Sequence, residues 1–142
     1  MSKTIVSKIF PNGDTYVGDF EFGDLNGQGR YTFKSGAYYE GSFTCGLYNG
    51  HGVYVCTNGD RYEGMFMDNM FDGQGVYEKS NGERYEGQFA GNQYNGKGVL
   101  KHPNGEIDEA VFKFGLAEGP GYHTYADGER VKVFFQGGKF EE

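Results

Sequence analysis

The sequence has no tryptophan, only three prolines and only two cysteines among its 142 residues. Cys45 and Cys56 give no disulfide framework, which predicts an intracellular chain with reduced thiols. No apolar run reaches the roughly 18 residues that a membrane-spanning helix needs, and no signal peptide is recognisable. These absences predict a soluble, cytoplasmic protein.

Basic residues are also scarce, since 13 Lys and Arg are outnumbered by 20 Asp and Glu, for a net charge of −7. Nucleic acids and anionic membranes attract proteins through a basic field. The charge balance therefore predicts no nucleic-acid partner, and it disfavours membrane lipid as a partner.

Glycine and aromatic residues are abundant, with 26 glycines and 18% aromatic residues, and they recur in a fixed pattern. The stretch from Tyr62 to Arg84, YEGMFMDNMFDGQGVYEKSNGER, returns every 23 residues along the chain. A fixed period of this length indicates a tandem array of structural repeats. The predicted array comprises a half repeat at 1–15, full repeats at 16–38, 39–61, 62–84 and 85–107, a degenerate repeat at 108–130 and a C-terminal cap at 131–142.

Each full repeat has the pattern of a β-hairpin. Tyr62, Gly64 and Phe66 alternate with other residues, so they lie on one face of a strand. A loop of about six residues is expected before the return strand that starts near Gly73, where tyrosine pairs with tyrosine and phenylalanine faces glycine. The connection to the next repeat, Ser80 to Gly82, fits a three-residue turn that ends in a left-handed glycine.

The predicted fold is all-β: an elongated, single-layer antiparallel meander of roughly 11 or 12 strands, twisted and trough-like. One face carries columns of tyrosine, glycine and phenylalanine, and the rings are expected to lean over the bare glycine backbone. The predicted partner-binding residues on this face are Tyr16, Phe20, Tyr31, Tyr39, Phe43, Tyr54, Tyr62, Phe66, Tyr77, Tyr85 and Phe89. The alternative is that these rings only cover their own glycines.

The opposite face is expected to be solvated, with surface ion pairs such as Arg61 with Glu63 and Arg84 with Glu86. The sequence predicts no catalytic residue, cofactor or metal site, because no nucleophile has a base at a recognisable spacing.

Two histidines leave one alternative open. His102 and His123 are expected on neighbouring strands of the aromatic face, and a metal that they share with Cys56, or between two molecules, is a minor alternative.

The pattern YxGxF, followed by GxG and by NG before the next tyrosine, resembles the MORN repeat (membrane occupation and recognition nexus) over residues 5–135. The resemblance implies a non-enzymatic protein-interaction scaffold that binds a partner peptide or helix, in a cytoskeletal or membrane-associated assembly. The alternatives are a phosphoinositide-binding membrane module and a self-associating structural protein. Self-association would use the terminal strands or the loop residues Leu47, Met67, Met70 and Phe71.

Overall fold

A computed structural model describes residues 4–141, which form twelve β-strands and no helix. The chain divides into two compact units, Met1–Met70 and Phe71–Glu142. In each unit the strands follow chain order and each pairs antiparallel with the next. The predicted all-β antiparallel meander is confirmed.

Alternating short and long strands make up the hairpins. The strands are β1 (Thr4–Ile9), β2 (Thr15–Glu21), β3 (Asp24–Thr32), β4 (Tyr38–Thr44), β5 (Leu47–Val55), β6 (Arg61–Met67), β7 (Met70–Glu78), β8 (Arg84–Ala90), β9 (Gln93–Lys101), β10 (Ile107–Lys113), β11 (Leu116–Thr124) and β12 (Arg130–Phe135).

The three-residue connections between repeats have the predicted geometry. The Phe10 N–H donates to the Asp14 carbonyl at 2.8 Å, and the Gly13 N–H donates to the Phe10 carbonyl at 2.9 Å. Gly13 has a φ of 95°, the left-handed conformation that closes such a turn. The turn preserves the facing residues, because Tyr77 lies opposite Tyr85 in the next strand.

The turn within each hairpin differs from the prediction. It has two residues, not about six, and both have positive φ: 49° at Cys45 and 82° at Gly46. This is the geometry of a tight hairpin turn whose twist matches that of the strands. Each long strand consequently starts several residues earlier than predicted, and Phe71 lies inside β7 instead of projecting from a loop.

The predicted pairing of phenylalanine with glycine inside a hairpin is also wrong. Phe43 faces Tyr48 and Phe89 faces Tyr94, because a bulge shifts the register just beyond the tight turn. Gly50 lies in the bulged segment with a φ of 91°. The extra residues of each hairpin therefore lie in a bulge of the long strand and not in a longer loop.

The C-terminal segment, residues 131–142 in the predicted array, keeps part of the repeat pattern. Gly137 and Gly138 repeat the two-residue turn, with φ of 57° and 82°, and Gln136 bridges Lys139. Phe140 then occupies the position that Tyr94 holds two repeats earlier. The segment therefore starts another hairpin.

Candidate functional site

Tyrosines from the first strand of each full repeat form a buried inner layer on one face of each unit. Tyr16, Tyr39 and Tyr85 have no exposed surface. The Tyr39 hydroxyl donates to the Ser42 carbonyl at 2.7 Å, and the Tyr85 hydroxyl donates to the Gln88 carbonyl at 2.8 Å. Burial raises the pKa of these three tyrosines to about 12.

The glycine column gives the tyrosine rings room to lie flat on the sheet. A Cβ at Gly29 would collide with the Tyr16 hydroxyl, and one at Gly98 would collide with the Tyr85 hydroxyl. The prediction that aromatic rings cover the glycine backbone is confirmed. The backbone is thus covered by the protein's own rings.

Phenylalanines of the first strands join one hairpin to the next. Phe43 meets Tyr39 of its own hairpin edge-on at 5.1 Å and Tyr16 of the preceding hairpin at 5.3 Å. Phe112 meets Tyr85 of the preceding hairpin at 5.1 Å in the same way. Edge-to-face aromatic contacts of this kind join neighbouring hairpins in each unit, as far as Phe112 in the second unit.

A further aromatic column, from the start of the long strands β5, β7 and β9, was missed by the sequence reasoning. Tyr48 stacks on Tyr39 with ring centroids 3.9 Å apart, and Tyr94 stacks on Tyr85 at the same distance. Both sit nine residues after the tyrosine that they cover, where the expected long loop concealed them. Their regular recurrence at 23 residues was the available signal.

Half-exposed rings lie at the outer margin of the aromatic layer in the first unit. Phe10 stacks on Tyr31 at 5.6 Å, Phe33 meets Tyr31 at 5.1 Å, and Phe33 approaches Tyr54 at 6.2 Å. Tyr48 continues the series at 6.2 Å from Tyr54. We call these five residues the outer ring row; each keeps part of its surface in solvent.

The second unit has a shallow apolar pocket of about 290 Å³ on the corresponding face. Phe71 and Tyr77 form one side, with centroids 5.7 Å apart, and Phe89 meets Phe71 at 6.0 Å. Tyr94 and the Lys79 side chain also line the pocket.

The predicted partner-binding residues divide into two groups by exposure. Tyr16, Tyr39, Tyr62 and Tyr85 are fully buried, and Phe43, Phe66 and Phe89 are nearly so. Phe20, Tyr31, Tyr54 and Tyr77 are half-buried. A buried ring offers a partner at most an edge, so the half-buried residues are the better contact candidates.

A carboxylate fixes the middle of the outer ring row. The Tyr31 hydroxyl donates to the Asp14 carboxylate at 2.7 Å, and the Lys34 backbone N–H donates to its other oxygen at 2.8 Å. The Tyr31 hydroxyl and then the Lys34 N–H lower the pKa of Asp14. Burial, followed by the bond to Asp14, raises the pKa of Tyr31 to about 12. Tyr31 is therefore held as a neutral donor.

The opposite face carries the predicted ion pairs. Arg61 binds Glu63 at 2.8 Å and Arg84 binds Glu86 at 3.0 Å, with all four side chains substantially exposed. Such pairs contribute about 0 to 1 kcal/mol each. His51 is exposed on this face, as expected, 3.8 Å from a Glu63 oxygen.

The two other histidines converge on Asp108, which the sequence reasoning did not place with them. His102 Nε2 lies 2.7 Å from Asp108 Oδ2, and His123 Nδ1 lies 2.5 Å from Oδ1. The expectation that the histidines occupy neighbouring strands is wrong, because β10 runs between them. Asp108 stands where earlier repeats have tyrosine, and this substitution was the signal for an altered repeat.

Neither a metal-binding group of side chains nor a helix long and apolar enough to cross a membrane is found in residues 4–141. No group of three or more His, Cys, Asp or Glu side chains there has the arrangement that a metal ion requires. None of these residues belongs to a helix that could cross a membrane.

Hairpins that recur every 23 residues and interlock through aromatic rings define a β-repeat protein. The MORN repeat pattern matches residues 16–38, 39–61, 62–84, 85–107 and 109–130. The chain therefore belongs to the MORN-repeat family, which confirms the resemblance seen in the sequence. No curated protein matches the sequence.

One solved structure with a similar fold is the TCP domain of SAS-4 (dCPAP) of Drosophila melanogaster, in complex with a proline-rich motif of Ana2 (dSTIL). The two share 14% sequence identity and a TM-score of 0.50, over 98% of this chain and 88% of that chain. At this identity the likeness shows the fold alone.

Proposed function

We propose that this MORN-repeat chain is a non-enzymatic scaffold that binds an extended, proline-containing segment of a partner protein. The binding surface is the outer ring row of the first unit and, independently, the apolar pocket of the second unit. Proline rings and apolar side chains pack against half-exposed aromatic rings, and an extended segment loses little entropy on binding.

The observation that carries the proposal is the division of the aromatic face into two layers. The hydroxyls of the inner tyrosines donate to backbone carbonyls of the same strand, and their rings pack on glycine backbone. These tyrosines therefore stabilise the array. Phe33, Tyr54 and Tyr77 are not needed to cover that glycine backbone and keep exposed surface. Contiguous aromatic surface that stays partly exposed is a feature of binding sites. The fold neighbour solved with a proline-rich motif supports the choice of occupant.

Charge favours the same partner over the alternatives. A net charge of −7 suits a neutral or basic peptide and repels an anionic lipid surface. That the partner belongs to a cytoskeletal or membrane-associated assembly stays a prediction from the family resemblance. Self-association through the terminal strands or through exposed Met67 and Met70 is likewise left to measurement.

The test is selection of peptides from a library of random and proline-rich sequences on the full chain, followed by measured affinities for variants. We expect Phe33→Ala with Tyr54→Ala, or Tyr77→Ala, to weaken selected peptides about tenfold or more. Tyr38→Ala is the matched control, because Tyr38 lies on the opposite face. There the Arg30 guanidinium lies 3.8 Å from the centroid of the Tyr38 ring.

Three results would count against the proposal. These are a selection without enriched peptides, equal binding by wild type and the ring variants, and loss of binding only in variants that unfold. Pelleting with phosphoinositide vesicles would favour the membrane alternative. A sedimentation mass above that of the monomer would favour self-association.

A further inference from the structure

A buried cluster of charged side chains interrupts the aromatic layer in the degenerate repeat. Asp108 and His123 face each other across β10 and β11, and each is only 4% exposed. His123 Nδ1 lies 2.5 Å from Asp108, and His123 Nε2 lies 3.0 Å from Glu106. His102 approaches the other Asp108 oxygen at 2.7 Å. The proposed peptide site does not use these residues.

Hydrogen-bond chemistry limits the protonation states that can satisfy both contacts of the His123 ring. Both ring nitrogens of His123 face carboxyl oxygens, and an ionised carboxylate can only accept. A neutral imidazole has one N–H and so satisfies one of the two contacts. Both contacts can be hydrogen bonds only if a second proton is present, and a ring that carries this proton donates to both carboxylates.

The first unit provides an internal comparison for one of these contacts. Asp14 lies in the β1–β2 turn, 17 residues before Tyr31. Glu106 lies at the corresponding position of the β9–β10 turn, 17 residues before His123. In the first unit the Tyr31 hydroxyl donates to the carboxylate at 2.7 Å. The same geometry at His123 calls for an N–H donor at Nε2.

The C-terminal segment covers the cluster. The Phe140 ring packs on the His123 ring with centroids 4.7 Å apart, and Phe140 also contacts Phe135 at 5.5 Å. A crevice of about 640 Å³ opens between this segment and the β9–β10 turn. The His123 ring therefore lies directly under the C-terminal segment.

We propose that His123 is a buried imidazolium at neutral pH and that its proton holds the C-terminal segment, residues 136–141, against β10 and β11. Removal of that proton leaves a nitrogen lone pair facing a carboxylate, which breaks one contact and loosens the Phe140 cover. The device is a proton-responsive latch at one end of the second unit.

The titratable groups around the His123 ring come from each element that packs against it. Asp108 lies on β10, and Glu106 and His102 lie in or beside the β9–β10 turn. Lys139 lines the crevice from the C-terminal segment. Tyr125 follows β11, with its ring centroid 4.6 Å from that of His123. The two carboxylates are the groups that bond to the ring, and they stabilise its positive charge.

Nitrogen NMR of the full chain labelled with ¹⁵N-histidine tests the protonation state directly. We expect His123 to give two nearly equal ring-nitrogen shifts at pH 7.5, the signature of an imidazolium. A neutral tautomer at this pH, with widely separated shifts, would overturn the proposal. His51, with 64% of its side chain exposed, is the internal reference.

The Glu106→Gln variant tests whether the C-terminal segment is held by the His123 proton or only by packing. A glutamine amide can either accept from Nε2–H or donate to bare Nε2, so the proton is no longer required. The variant should fold, and its imidazolium signal should be lost at a lower pH than in wild type. Glu129→Gln is the matched control, because Glu129 occupies the equivalent turn position and is exposed.

Amide exchange reports the segment itself. The Gly138 N–H donates to the Ala117 carbonyl at 3.0 Å. Its protection in wild type should fall about tenfold or more once the His123 signal becomes neutral, because a bond to a charged group is lost. In Glu106→Gln the protection should not follow pH. Protection that is unchanged when the wild-type ring deprotonates would overturn the latch.

Discussion

The rings of Tyr85 and Tyr94 lie face to face, with centroids 3.9 Å apart and planes within 2° of parallel. Tyr39 and Tyr48 repeat the arrangement at 3.9 Å and 10°. One ring of each pair begins a hairpin and the other stands just beyond its tight turn. Each stacked pair therefore links the two strands of its hairpin through side chains.

Replacing Tyr94 with leucine should lower the free energy of unfolding by about 1 kcal/mol, because stacked aromatic pairs add roughly 0.5 to 1.5 kcal/mol beyond their buried area. Tyr94→Phe is the control, since the corresponding Phe71 shows that a phenyl ring fits this column. Urea unfolding measures both variants. Equal losses for the two would show that stacking is not the cause.

Gly98→Ala should destabilise the second unit by about 1 to 3 kcal/mol, since the added methyl group collides with the buried Tyr85 ring. Thermal and urea unfolding provide the measurement. Tyr85→Leu combined with Gly98→Ala is expected to lose less than the sum of the single variants, because removal of the ring removes the collision. Full additivity would contradict the account.

Gly115→Asn should be neutral or stabilising by about 0.5 kcal/mol. Gly115 has a φ of 85° and open space beside its Cα, and Asn92 occupies the same turn position with a φ of 72°. The Asn92 side chain accepts from the Phe71 N–H at 2.8 Å, so the substitution offers Tyr94 the same bond. Gly115→Val, which tolerates positive φ poorly, should destabilise.

Alkaline pH should unfold the protein through its buried tyrosines. Burial raises the pKa of Tyr16, Tyr39 and Tyr85 to about 12 from an ordinary value of 10. The unfolded chain therefore loses these protons first, so the stabilisation is complete below about pH 10 and is lost as pH rises towards about 12. Urea midpoints across this range should fall. Complete phenolate absorbance in a still-folded protein at about pH 11 would contradict the prediction.

Phe33 and Phe43 should separate binding from stability. Phe43 is 3% exposed between Tyr16 and Tyr39, so Phe43→Ala should cost about 3 to 5 kcal/mol of unfolding free energy. Phe33 is half-exposed, so Phe33→Ala should cost much less yet weaken a selected peptide. Calorimetric unfolding with fluorescence titration distinguishes the two. A stability loss at Phe33 as large as that at Phe43 would assign it to the core.

Most of the fold could be predicted from the 23-residue period of the sequence. Alternation of Tyr62, Gly64 and Phe66 identified the face, and the Asn81–Gly82 pair identified the three-residue turn. The tight turn escaped prediction because positions such as Cys45 and Asp68 adopt positive φ without glycine. Such residues visit that region rarely, so local sequence argued for a longer loop.

The candidate site was less accessible to sequence reasoning. Exposure separates Tyr39 from Tyr54, yet both belong to the same tyrosine column. The difference arises because only the first-strand ring lies over the glycine pair, which depends on side-chain direction and on the bulge. The Asp108 cluster was missed for a related reason: Glu106, Asp108 and His123 meet only once register and turn geometry are fixed in three dimensions.

Contacts between phenylalanine and the preceding tyrosine, such as Phe66 on Tyr39 at 4.9 Å, also constrain how such a chain changes in length. A deletion of one whole period reunites the same two residue types across the new junction, whereas a deletion of half a period sets a long strand against a long strand. Arrays of this kind are therefore expected to gain and lose residues in complete repeats. Each hairpin then presents the same packing surface to the hairpin that follows it.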